Sequence, residues 1–121
     1  MDSEPTTRLL WRIKATTVLG RVAEAEARFS ASLSVNDVAA LAAADELAAA
    51  TRDATAWTVA NLCPDLALGS RVALLLSTCA EAALVAQVAL TDPSADSGAV
   101  AGRLGELLAL VDFTSQTLDA W

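Results

Sequence analysis

The stretch Val72–Leu90, VALLLSTCAEAALVAQVAL, constrains the fold more than any other part of the chain. Neither Pro nor Gly interrupts positions 70–91, and Ala and Leu dominate, so the stretch reads as a helix. At 100° per residue its apolar positions do not gather into one stripe. Val72, Leu75, Leu76, Cys79, Ala83 and Ala86 occupy one side. Leu74, Leu84, Val85 and Val88 occupy the other, around Glu81. A helix that is apolar all round is covered on every side by protein, or it lies in a membrane.

The length alone would suit a membrane, which asks for roughly 20 apolar residues. Glu81 near the middle opposes this, because a charged carboxylate at the bilayer centre costs about 2.5–3.5 kcal/mol. Ser77, Thr78 and Gln87 oppose it too, the flank carries only Arg71, and the other helical segments are amphipathic. The sequence therefore favours a bundle helix, covered on one side by its own chain and on the other by a second copy or a partner. Ser70, Ser77 and Glu81 share a narrow strip of this helix, which leaves two readings. The strip reaches solvent or pairs with an Arg of a neighbouring helix. Alternatively, Glu81 is a buried carboxylate with a raised pKa, suited to accept a proton or to balance a cationic ligand.

A chain of 121 residues is expected to form one domain with one core. Hydrophobic residues make up 55%, above the usual range of about 45–50%. Only 4% are aromatic, so the apolar mass is Ala, Leu and Val. Four helices of this composition leave apolar surface over, which predicts a homodimer or higher homo-oligomer. Net charge is −7, and five of the eight basic residues (Arg8, Arg12, Lys14, Arg21, Arg28) fall in the first 28 positions. A nucleic-acid binder shows a dense basic face, which is missing here.

The chain contains no His. That removes phosphorelay histidines, Ser-His-Asp triads, His-ligated haem and the Glu-x-x-His pairs of ferritin-like di-iron sites. The carboxylates show no matched spacing for a metal, so neither metal nor cofactor is expected. Cys63 and Cys79 form neither a disulfide framework nor a metal motif. Reduced thiols fit them best. Cys79 reads as a small core residue; Cys63, just before Pro64-Asp65, sits near a possible helix N-terminus where a thiol pKa falls. The opening MDSEPTT is polar and acidic, without an apolar secretory region, which predicts a cytoplasmic protein.

The first helix is expected over about 5–32, with Pro5 in its first turn. Trp11, Ala15, Val18, Val22, Ala25, Phe29 and Leu33 step by three and four, the spacing of an inward seam. Leu9 and Ile13 lie on another side. Ser34 and Asp37 resemble a capping box, and Asn36 is a rival cap for a second helix over about 37–62. The Ala runs of that helix permit two inward faces. One is Leu41, Ala44, Ala48, Thr55 and Leu62; the other is Val38, Leu41, Ala49, Ala56 and Val59. The second would bring Asp45 and Arg52 toward the core and within reach of Glu81.

The third helix is expected over about 70–91, with a start at Pro64 as the alternative; Gly69 makes the start at Ser70 plausible. Pro93 ends it, and Asp96 or Ser97 caps a fourth helix over about 97–120. There Val100, Leu104, Leu107, Val111, Thr114, Leu118 and Trp121 alternate steps of four and three. Leu110 and Phe113 lie off that seam, as interface candidates.

These segments predict an all-α, single-domain, up-down-up-down four-helix bundle over residues 1–121. The first functional expectation is a non-catalytic interaction or assembly protein. It would self-associate through the third and fourth helices, with Leu74, Leu84, Val85, Val88, Leu110 and Phe113 at the interface, and could act as an adaptor for another protein. The second is a small-molecule binder with an apolar interhelical pocket. Its polar lining would come from Glu81, Ser77, Arg52 and Asp45. The third is an all-helical enzyme using Arg52 and Glu81; the paired Glu-x-x-Glu metal clusters of helical nucleotide pyrophosphohydrolases are absent.

Overall fold

A computed structural model describes the backbone of residues 3–119 and the side chains of residues 7–118. Four helices follow one another: α1 (Ser3–Ser32), α2 (Asp37–Ala60), α3 (Leu66–Thr91) and α4 (Ser97–Asp119). The described residues contain no strand. α1 packs on α2, α2 on α3 and α3 on α4, giving an up-down-up-down four-helix bundle. The expected end of the last helix at Ala120 and its seam position Trp121 lie outside the described residues.

Local chemistry accounts for the boundaries. The Asn36 side chain accepts a hydrogen bond from the Ala39 backbone N–H (2.8 Å) and caps α2, so Asn36 and not Ser34 supplies the cap. α2 stops at Ala60, where the Asn61 N–H closes the last turn on the Trp57 carbonyl. α3 starts at Leu66, four residues earlier than Gly69 suggests. The Asp65 side chain accepts from the Leu68 N–H (3.1 Å), and this cap sets the start. Gly69 then falls inside the first turn, where it serves close approach. A Cβ built there would lie 3.2 Å from the Cys63 Cβ, tighter than ordinary contact, so the absent side chain lets the α2–α3 connection fold against α3. Asp96 caps α4 by accepting from the N–H groups of Gly98 (2.9 Å) and Ala99 (3.2 Å).

The core follows the expected seams on three helices. Trp11, Ala15, Val22, Ala25 and Phe29 are buried from α1, and Val18 is half-buried against them. Leu33 falls beyond the last turn of α1 and is exposed. From α3, Val72, Leu75, Leu76, Cys79, Ala83 and Ala86 are buried; from α4, Leu104, Leu107, Val111 and Thr114. Both faces expected for α2 are corrected. Ala40, Ala43, Ala44, Leu47, Thr51 and Ala54 point inward, while Val38, Val59 and Leu62 face solvent. Small side chains on that face let α2 approach its neighbours closely, and Leu47 alone supplies bulk.

The end of the bundle nearest the α2–α3 connection is tied by Trp11. Its indole Nε1 donates to the Asn61 carbonyl (2.6 Å), and its ring meets Trp57 at 5.7 Å between centroids, tilted by 45°. α3 passes the length and composition test for a membrane span, a test that the core helix of a bundle also passes.

Candidate functional site

The four side chains expected to line a ligand pocket do not converge. Glu81 points outward from α3, and its Oε1 accepts a hydrogen bond from Arg103 Nη2 on α4 (2.5 Å). Both side chains are about half exposed, at 48% and 47%. This is the outcome in which the strip pairs with an Arg of a neighbouring helix. The carboxylate raises the Arg103 pKa, through the hydrogen bond first and its charge second. Arg103 Nη1 also reaches Glu106 one turn on (3.3 Å). Asp45 is exposed on α2, and its Oδ1 accepts from Gln87 Nε2 of α3 (2.7 Å). Ser77 and Arg52 are exposed. None of the four lines either of the two cavities described below.

The expected interface residues, by contrast, face outward with one exception. Leu74, Leu84, Val88, Leu110 and Phe113 are exposed, Leu84 by 58% and Phe113 by 68%. Val85 is half-buried and packs against its own core, because it lies on the flank of α3 turned toward the bundle. The Glu81–Arg103 pair fixes the antiparallel register of α3 and α4. Seven residues back along α3 and seven forward along α4 are two turns on the same faces, and they reach Leu74 and Leu110. The two leucines therefore sit level on the outer α3–α4 surface, with Phe113 one turn further along α4.

Two of the cavities among the described residues open into the bundle. One, of about 340 Å³, lies where α1 and α4 fail to close over α3. Leu19 and Val22 of α1, Val72 and Cys79 of α3, and Val111 of α4 line it, among others. The other, of about 470 Å³, lies under the α2–α3 connection between Trp11, Leu62, Cys63 and Leu66. The sequence reading missed the first, together with its carboxylates, Glu26 and Asp112. The available signal was the small and polar flank of two seams: Thr16, Gly20 and Ala23 on α1, and Asp112 and Ser115 on α4.

Charge in this groove is perturbed. Burial raises the Glu26 pKa. The hydrogen bond that Ser30 Oγ donates to it (3.1 Å) opposes this, and the Asp112 carboxylate adds to the rise. Burial, helped by the Glu26 charge, pushes the Cys79 thiol up to about 12. Folding therefore favours protonated Cys79. That contribution is complete below the ordinary thiol pKa and is lost as pH rises through about 12. A thiol so held is a core residue and a poor nucleophile. Iodoacetamide at pH 8 is expected to add one group to the native protein, at half-buried Cys63, and a second only in denaturant. Intact-mass spectrometry with peptide mapping checks this; rapid native labelling of Cys79 would contradict the packing described.

Among the described residues, no group of three or more Cys, Asp or Glu side chains converges to hold a metal ion. Comparison with known proteins finds no matching family model, no matching curated protein and no matching solved structure.

Proposed function

We propose that this chain is a non-catalytic interaction and assembly protein, and that a second copy of itself covers the outer face of α3 and α4. The observation that carries this reading is the exposure of Leu74, Leu84, Val88, Leu110 and Phe113 on two adjacent helices. Large contiguous apolar surface on a folded chain marks an interaction site. Arg103 pairs with both Glu81 and Glu106 on this face, so covering it buries no unpartnered arginine and leaves one net negative charge at its rim.

The size and pattern of the face suit a second copy. α3 has 26 residues, about 39 Å at 1.5 Å each, and two helices side by side are about 20 Å wide. The product approaches the roughly 800 Å² per partner of a standard interface. Along α3 the outward residues Leu66, Ser70, Ala73, Ser77, Ala80, Leu84 and Thr91 repeat at steps of four and three until the last. Set antiparallel about a two-fold axis between Ser77 and Ala80, Leu84 of one copy meets Ala73 of the other. Large against small at each crossing is the requirement for close helix packing.

The test is mass in solution. Light scattering after size exclusion should give twice the 12.4 kDa chain mass at micromolar concentration. The double substitution Leu74→Glu with Leu84→Glu should return one chain mass without loss of helix by circular dichroism. A wild-type protein of 12.4 kDa at every concentration tried, or one recovered only in the membrane fraction, overturns the reading.

A further inference from the structure

We propose that the groove between α1 and α4 is a binding site for an amphiphilic organic cation, with an apolar body on the α3 floor and an ammonium head between Glu26 and Asp112. It lies on the side of α4 turned away from Leu110 and Phe113, and is independent of the self-association proposed above.

The groove exists because one seam of the bundle is unfilled. α1 packs on α2 and α4 packs on α3, yet α1 and α4 do not close on one another. A small flank on α1, with Gly20 and Ala23, meets a polar flank on α4, with Asp112 and Ser115. Gly20, Ala23 and Ser115 are too short to fill the space between the two helices. What remains is a cavity of about 340 Å³, within the roughly 300–1,000 Å³ of small-molecule sites. Its floor is apolar, formed by Leu19, Val22, Val72, Cys79 and Val111, while Thr16, Glu26, Asp112 and Ser115 make its walls partly polar. An alkyl chain of moderate length matches that floor in chemistry and reach.

The upper end selects the sign of the head group. Glu26 and Asp112 stand on opposite walls, near enough that the Asp112 charge acts on Glu26. Glu26 is half-buried and Asp112 exposed, and two like charges lining one groove disfavour each other, so a cation between them is favoured. An anionic head would add a third negative charge. A neutral head would leave the two carboxylates facing each other. Arg12 also lines the groove, three to four turns from Glu26 along α1, and it has its own interaction partner.

The probe is octyltrimethylammonium below its micelle-forming concentration, with 1-octanol and octanoate as the neutral and anionic controls. Isothermal titration should show one saturable site per chain for the cation, weaker binding of octanol and none of octanoate. Glu26→Gln combined with Asp112→Asn should weaken the cation about tenfold, toward the octanol value, while leaving octanol unchanged. Gly20→Phe supplies a steric arm that does not depend on charge. Gly20 lines the groove, and a Cβ there meets nothing within 4 Å, so the added side chain starts in open space. It should abolish binding of both cation and octanol while the protein stays folded and keeps its mass in solution. Equal affinity for octanoate, or cation binding indifferent to both variants, overturns the proposal. So does a Gly20→Phe protein whose mass falls from two chains to one, because the groove would then be covered by a second copy.

Discussion

Replacing Phe29 by alanine is expected to lower the unfolding free energy by about 3–5 kcal/mol, which threatens a domain whose total lies near 5–15 kcal/mol. Phe29 is fully buried, with 0% of its surface exposed, and it is the largest side chain so enclosed. Aromatic residues are few here, only 4% of the chain. Alanine supplies eight of the twenty buried residues of the core cluster that holds the ring. Alanines have no rotamers with which to fill the void, so the cavity would persist and the cost should fall in the upper part of that range. Urea titration followed by circular dichroism should show a much lower midpoint with an unchanged slope. A loss below about 1 kcal/mol would mean that the helices collapse onto the vacancy, and that the core is looser than described.

Enlarging Ala83 to leucine is the complementary experiment, expected to cost about 1–3 kcal/mol or more by overpacking. Ala82 and Ala83 are fully buried, as are Ala44 and Ala54 of α2. The hydrogen bond from Gln87 to Asp45 sets the antiparallel register of α3 and α2. One turn along, Ala83 comes level with Ala48 and Ala49, two partly buried residues of α2. Ala83 has no exposed surface, so a leucine there must push the surrounding helices apart. Ala109→Leu on the exposed face of α4 is the control, expected to stay within about 0.5 kcal/mol of wild type. Thermal unfolding of both variants distinguishes the cases. Tolerance of Ala83→Leu would show that α2 and α3 do not depend on close backbone approach.

The interhelical pocket illustrates where sequence reasoning stopped. Glu81 drew attention because a carboxylate in the middle of an apolar helix is either paired or functional. The same periodicity that placed it on a strip with Ser70 and Ser77 could not say which helix that strip would meet. α4 delivered Arg103 to it. In the sequence Glu26 and Asp112 are isolated acidic residues beside ordinary seams. They matter only because α1 and α4 face each other across space neither fills.

The chain order of amino acids was enough for the four helices, for a short choice of caps (Ser34 or Asn36, Asp96 or Ser97), and for most of the buried rows of α1, α3 and α4. Those properties depend on a residue's position relative to its own axis and on side chains reaching backbone groups two or three residues away. Packing among helices settled the rest: the inward face of α2, the close approach of Gly69 to Cys63, the partner of Glu81 and the gap between α1 and α4. In α2 alanine covers nearly every side, so hydrophobicity differs little from face to face. The inward one is decided by how closely its neighbours can approach, and no local pattern encodes that.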